Sequence, residues 1–195
     1  GVYPTEVNLI GSVPTTFQAA LDHLFTACTD DPICRTELPD PWATFAELFR
    51  SLDADPLRVA VANGDDSTYP MRIAGDDLVN IVHGLLYTAD GAAFVPDLLV
   101  DLANGHTGRI ERLAQDAIYD TADVLAWLGV LCHDEVPFAS EAERTEAARS
   151  DTAAHRVGLA PGLIGGIMYE ACPLFPSIGT AEALENDPVV WSQPT

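Results

Sequence analysis

Residues 15–34, with the sequence TTFQAALDHLFTACTDDPIC, indicate the fold more directly than any other stretch of the chain. Apolar side chains recur there every three or four residues, which places one apolar stripe on a helix from about Thr15 to Cys28. The stripe consists of Phe17, Ala20, Leu21, Leu24, Phe25 and Cys28. A turn rich in Asp and Pro then separates Cys28 from Cys34. The stretch therefore predicts an amphipathic helix that ends at a pair of cysteines.

The helical pattern continues along most of the chain. Asp40-Pro41 is a helix start signal, because Asp accepts hydrogen bonds from free amides and Pro fits the first turn. Asn104-Gly105 ends a later helix, in which Pro96 is expected in or near the first turns. The predicted helices after the first begin near 41, 75, 90, 109, 121, 140 and 159, and the last of these ends near 171.

Two short segments alternate instead of following the helical period. Residues 58–62 place Val59 and Val61 on one face, and residues 68–74 do the same with Tyr69, Met71 and Ile73. Asn63-Gly64-Asp65-Asp66 lies between them, which predicts one β-hairpin. We therefore expect a mainly α fold with one small β-hairpin. A chain of 195 residues without internal repeats suits one domain or at most two small ones, and we expect a single domain, 1–195.

Charge limits the classes of partner. The chain has 9 basic and 30 acidic residues, a formal net charge of −21, and every basic residue is Arg. Nucleic acids and anionic membrane surfaces are not expected partners, because both attract basic surfaces. The acidity favours solubility and would also attract cationic groups such as free amines. Apolar stretches such as residues 124–132 are too short for a transmembrane segment.

Four cysteines allow three interpretations. A zinc site would need cysteines two to four positions apart or a second histidine at ligand spacing, and neither is present. Buried free thiols are a second interpretation. Two disulfides, Cys28–Cys34 and Cys132–Cys172, are the interpretation that we favour, and they would imply an oxidising compartment. The chain would then be secreted or part of the cell envelope, although a cytoplasmic location stays open.

Catalytic motifs are missing from the sequence. No serine has the Gly-x-Ser-x-Gly context of a nucleophile elbow, and Gly162 and Gly165-Gly166 lie in an apolar helical pattern rather than in a phosphate-binding loop. We predict no catalytic residue, no metal site and no cofactor. His23, His83, His106 and His155 are interpreted as surface or packing residues.

Residues 132–138, CHDEVPF, are the exception among the histidine-containing segments. Asp134 and Glu135 are adjacent acids at a predicted helix end, where the helix dipole disfavours negative charge. They are either solvated surface acids or a pair that binds a cationic group of a substrate.

Several motifs together resemble one family. They are Tyr3-Pro4-x-Glu6-Val7-Asn8-Leu9, Phe17-x-x-Ala20-Leu21-Asp22-x-Leu24-Phe25-x-x-Cys28-x-x-Asp31-Pro32-x-Cys34, Gly75-Asp76-Asp77-Leu78-Val79, Cys132-x-x-Glu135-x-Pro137-Phe138 and Tyr169-x-x-Cys172. Their order and spacing resemble the cap region of α/β-hydrolases of the tripeptidyl aminopeptidase and proline iminopeptidase type. The resemblance covers nearly the whole chain.

This resemblance implies a lid without catalytic residues. In the family the serine nucleophile precedes this region and the catalytic Asp and His follow it, so the chain would be an excised helical cap domain. The cap would cover the active site, and Asp134 and Glu135 would hold the free α-amine of a peptide substrate. The implied function is that of a lid in a serine hydrolase, an exopeptidase for peptides with a free N-terminus. The implied partners are the hydrolase core of the same parent chain and the substrate, and the core-facing surface would allow a homodimer.

Two other functions stay open. The chain would also suit a free-standing acidic helical module that binds a cationic ligand or partner. An independent enzyme with a new kind of site is the third hypothesis, and it would require a cluster of perturbed ionisable groups in a cleft.

Overall fold

Helices dominate the part of the chain that the computed structural model describes, which comprises residues 9–62, 67–119, 129–130, 132–133, 136 and 171–174. In chain order the helices are α1 (Leu9–Asp30), α2 (Pro32–Glu37), α3 (Pro41–Ala54), α4 (Gly75–Leu85), α5 (Ala89–Ala103) and α6 (Gly108–Tyr119). The strands β1 (Leu57–Ala62) and β2 (Thr68–Ile73) lie between α3 and α4, and a 3-10 turn covers Cys172–Leu174. The predicted fold class, mainly α with one β-hairpin, is confirmed.

Other predicted elements lie outside the described residues. They are the hairpin turn at 63–66, the helix at 140–150, almost all of the helix at 159–171 and most of the helix at 121–132. Residues 129–130 and 132–133 of the last of these are helical. The single-domain organisation over 1–195 stays a prediction.

Aspartate side chains start two of the helices. Asp40 accepts a hydrogen bond of 2.9 Å from the amide of Ala43, and Pro41 occupies the first turn of α3 as the sequence predicts. Asp31 accepts from the amides of Ile33 and Cys34 and starts α2. The predicted turn between Cys28 and Cys34 is therefore much tighter than expected, because α1 extends to Asp30 and α2 begins two residues later.

Two prolines lie inside helices rather than at their starts. Pro14 is buried within α1, so this helix begins six residues before the predicted start at Thr15. Pro96 is in the middle of α5, between the fully buried Val95 and Leu98. Each proline removes one backbone donor from its helix. Burial of the neighbouring apolar surface offsets that loss, since packing outweighs intrinsic propensity in a buried helix.

One apolar core joins five of the helices and the hairpin. Leu21 of α1, Phe45 of α3, Leu78 of α4, Leu98 of α5 and Ile110 of α6 are all fully buried in it. The inner face of the hairpin adds Val59, Val61 and Ile73. Burial of each such side chain contributes about 1.5–3 kcal/mol to folding. The core therefore holds α1 and α3–α6 together, and α2 contributes no fully buried side chain.

The contact between α3 and α4 depends on a glycine. A Cβ atom added to Gly75, the first residue of α4, would collide with the backbone oxygen of Phe49. Gly84, near the other end of α4, has open space around its Cα atom. Close approach of the two helices thus requires the absence of a side chain at 75 and not at 84.

The outer edge of β1 is bonded to α6. Gln115 of α6 accepts a hydrogen bond from the amide of Ala62 at 2.6 Å and donates one to its carbonyl at 3.0 Å. On the other edge, β1 pairs with β2 in the register Leu57↔Ile73 to Ala62↔Thr68. The side chain of Gln115 therefore takes the place of a third strand at this position and orients the hairpin relative to α6.

Two disulfides cross-link the chain, one across a short separation of 6 residues and one across 40 residues. Cys28 is bonded to Cys34, and Cys132 to Cys172, as favoured from the sequence. Disulfides persist in oxidising compartments, so the pair indicates that the protein folds in one. No helix among the described residues has the length and apolarity needed to cross a membrane.

We expect Gly75→Ala to lower the free energy of unfolding by about 1–3 kcal/mol, because α4 must move away from the Phe49 carbonyl. The matched control Gly84→Ala should instead raise it by about 0.5–1 kcal/mol, since alanine lowers the entropy of the unfolded chain without a collision. Urea denaturation of both variants measures the difference. Equal effects of the two substitutions would contradict the close approach at Gly75.

The two disulfides should differ in their contribution to stability. They close loops with sequence separations of 40 and 6 residues, so loop entropy predicts losses of about 4 kcal/mol for Cys132→Ala/Cys172→Ala and about 2 kcal/mol for Cys28→Ala/Cys34→Ala. Guanidinium unfolding curves of the two double variants test this order. A larger loss from the short loop would show that strain or packing, and not loop entropy, determines the contribution.

Candidate functional site

The predicted acidic pair is adjacent to a disulfide. Asp134 and Glu135 themselves lie outside the described residues, but Cys132 is two positions before Asp134, and its Cα atom is 5.2 Å from that of Cys172. Two large apolar side chains near the bridge face solvent: Val130 is 57% exposed and Leu174 is 77% exposed. Both sit two positions from a bridged cysteine. The Cys132–Cys172 bridge therefore joins the segments that carry Val130 and Leu174, and the predicted substrate-binding acids follow Cys132 in the sequence.

His83 is the titratable side chain whose environment departs most from solvent within the described ranges. It lies on α4 between the buried ring of Phe17 and the exposed ring of Tyr87. Both neighbours contact it edge to face, with centroids 5.3 Å away. Burial lowers the pKa of His83 below its usual value, because a protonated imidazole would lose hydration there. The side chain is therefore neutral at neutral pH.

The surroundings of His83 favour packing over catalysis. A general base is normally oriented by a hydrogen bond from a third group, and no described residue forms a hydrogen bond or an ion pair with this imidazole. Its contacts are aromatic rings on both sides. These contacts agree with the interpretation of His83 as a surface or packing residue. His23 and His106 are exposed, also as expected, and His155 lies outside the described residues.

A satisfied ion cluster connects α5 and α6. Arg109 donates hydrogen bonds to Asp101 at 2.8 Å and to Asp97 at 3.2 Å, and its guanidinium lies 5.3 Å from the centre of the Phe94 ring. His106 approaches Asp101 at 3.9 Å. The guanidinium is thus engaged by two carboxylates and an aromatic face. The two hydrogen bonds and the ring contact therefore link α6 to α5, and a structural role accounts for this cluster.

A second pair of arginines forms no ion pair with any residue that the structure describes. Arg58 of β1 and Arg72 of β2 are exposed and directly opposite each other in the hairpin register. The sequence alone did not single out this pair. The alternation of the two strands places both arginines on the outward face, but only the register shows which residues of the two strands are neighbours.

The described residues contain no group of three or more His, Cys, Asp or Glu side chains that could hold a metal ion. Comparisons with protein-family models, curated proteins and solved structures found no match to this chain.

We expect His83 to make stability depend on pH. Its folded-state pKa is lowered, so the unfolded state takes up a proton first as the pH falls through about 6.5. The free energy of unfolding should therefore decrease between pH 7.5 and pH 5, and His83→Phe should reduce that decrease, because Phe keeps the ring contacts and cannot be protonated. Urea denaturation at both pH values measures it.

His23→Gln on the exposed face of α1 is the matched control for the loss of a histidine. Its pH dependence should equal that of the unsubstituted protein. If His83→Phe behaved in the same way, burial of the imidazole would have no part in the pH dependence.

Proposed function

We propose that this chain is the cap domain of a serine hydrolase, an exopeptidase that acts on peptides with a free N-terminus. The cap covers the active site of a catalytic core that belongs to the same parent chain. The cap alone is then catalytically inert, because the nucleophile, the general base and its orienting acid all belong to the core.

The exposed apolar residues beside the Cys132–Cys172 disulfide are the observation that carries this proposal. A lid over an active site needs apolar surface that excludes water from the reacting groups. Val130 and Leu174 provide exposed apolar side chains, and the disulfide links the segments that carry them. Large apolar side chains are also exposed at Ile33, Tyr69 and Tyr87, but Val130 and Leu174 are a pair that one disulfide connects. In a chain with 30 acidic residues, this connected pair supports a covered, substrate-facing surface.

Asp134 and Glu135 give this surface its proposed specificity. A carboxylate forms charge-assisted hydrogen bonds with an ammonium group, and these strengthen when the lid excludes water. A peptide with a blocked N-terminus cannot form them and leaves the acids unpaired, which costs binding energy. The pair therefore selects substrates with a free α-amine.

The same proposal includes partners and location. The hydrolase core of the parent chain is the main partner, and in its absence the core-facing surface of two caps can pair as a homodimer. With disulfides already placing the protein in an oxidising compartment, we propose that the parent is secreted or belongs to the cell envelope.

A free-standing acidic binding module is the second candidate. The observation that favours it is the shared core of the described residues, in which apolar side chains of α1 and α3–α6 bury one another. In this alternative Asp134 and Glu135 would hold a cationic ligand in the absence of any hydrolase. The cap proposal requires that a serine hydrolase core is encoded in the same reading frame, and the binding module does not require one.

The first test is to express the complete reading frame that contains this segment and to measure its activity on an aminoacyl p-nitroanilide. We expect Asp134→Asn/Glu135→Gln to raise KM by about 10–100-fold, as loss of charged hydrogen bonds of about 1.5–3 kcal/mol implies. Hydrolysis of an uncharged ester, p-nitrophenyl acetate, should not change, because this substrate has no amine.

Glu47→Gln/Asp53→Asn provides the matched control, since it removes the same two charges from exposed positions on α3. It should leave both activities unchanged. Equal losses in the two double variants would mean that total charge, and not the acidic pair, determines KM. A reading frame without a serine hydrolase around this segment would overturn the cap proposal in favour of the binding module.

A further inference from the structure

The outward face of the β-hairpin carries two of the nine basic residues of the chain. Arg58 and Arg72 are Cα partners in the register, so their side chains leave the sheet on the same face. That face is solvent-exposed, whereas the opposite face buries Val59, Val61 and Ile73. The two guanidinium groups are thus side by side on an open surface of a protein with a net charge of −21.

The hydrogen bonds of Gln115 indicate which type of backbone pair the two arginines form. The amide and carbonyl of Ala62 both bond to Gln115 on the outer edge of β1, so Ala62↔Thr68 is a non-hydrogen-bonded pair of the β1–β2 ladder. Pair types alternate along an antiparallel ladder, so Arg58↔Arg72, four positions away, is also non-hydrogen-bonded. In this type of pair the Cα atoms are only about 4.5 Å apart and the side chains approach most closely.

The position of Pro70 agrees with this alternation of pair types. Pro70 is opposite Ala60, and the alternation of pair types makes Ala60↔Pro70 another non-hydrogen-bonded pair. Because such a residue donates no hydrogen bond to the strand opposite, the missing amide hydrogen of Pro70 costs no bond to β1. Instead it removes a donor from the free edge of β2. A further strand would pair poorly with that edge, so a partner of the hairpin is better accommodated on the arginine face than at the edge.

Like charges directly opposite each other destabilise a hairpin. The ion pairs found among the described residues involve Arg109 and His106, and none involves Arg58 or Arg72. Their neighbours on this face are Ala60, Ala62, Thr68 and Pro70, which are small and carry no charge. The pair is therefore an unfavourable arrangement that no described acid relieves, on a surface that a ligand can approach closely.

We propose that Arg58 and Arg72 form a binding site for an oxyanion, a carboxylate or phosphate group of a small ligand. Planar guanidinium groups present forked donors that match the two oxygens of a carboxylate or the oxygens of a phosphate. An anion between them converts the repulsion into two attractive contacts. The acidity of the rest of the chain disfavours anions over most of the surface, and this face places two arginines directly opposite each other. The site does not depend on the proposed cap function.

The test compares melting temperatures in sodium phosphate and in sodium chloride at one ionic strength, with sodium glutarate as the carboxylate. We expect phosphate or glutarate at about ten times its dissociation constant to raise the melting temperature by about 3–6 °C relative to chloride. Arg58→Gln/Arg72→Gln should abolish the rise. In chloride alone this variant should melt about 1–3 °C higher than the unsubstituted protein, because the repulsion is gone.

Arg50→Gln, at an exposed position on α3, controls for the change in net charge and should retain the full rise. Backbone amide shifts during the titration provide a second measurement, which should localise to 58–62 and 68–72. A response to phosphate alone identifies a phosphate ligand, and a response to glutarate alone identifies a carboxylate ligand. If the double variant responded as the unsubstituted protein does, or if neither anion had an effect beyond chloride, the site would be excluded.

Discussion

Exclusion of water from one shared core is the constraint on which the rest of the structure depends. Leu21, Phe45, Leu78, Leu98 and Ile110 come from five different helices and meet with no exposed surface. Because they meet, α3 and α4 approach until only a glycine fits at position 75, and helices tolerate Pro14 and Pro96 in their interiors. Local irregularities of this kind are stable only where tertiary packing holds them.

Burial of the inner face of the hairpin also determines which residues lie on its exposed face. Its inner face is anchored by Val59, Val61 and Ile73, and Gln115 of α6 bonds the outer edge of β1. The register that results leaves Arg58 opposite Arg72 on the solvent side. A charge arrangement that is unfavourable in itself is thus imposed by the apolar face beneath it, since a slip of one residue would expose the buried valines.

Charge and covalent bonds have separate roles in this protein. The excess of 21 negative charges suits a soluble surface and the attraction of amines. Arg109 forms ion pairs that link α5 and α6, whereas Arg58 and Arg72 do not take part in this cluster. The Cys132–Cys172 disulfide connects two segments of the chain. One segment continues to the proposed substrate-binding acids, and the other carries the exposed Leu174. The proposed amine site and the proposed oxyanion site are therefore separate proposals that involve residues of opposite charge.

By itself the sequence determined the local elements: the helix start at Asp40-Pro41, the end of α5 before Gly105 in the left-handed region, and the hairpin. These depend on periodicity, capping and turn chemistry, which act over a few residues. Asp134 and Glu135 stay a prediction from the sequence. Only the tertiary structure decided that α1 continues through Pro14, that His83 lies between two rings and that Arg58 opposes Arg72. Each of these depends on which distant residues become neighbours, and that follows from how the whole chain buries its apolar surface.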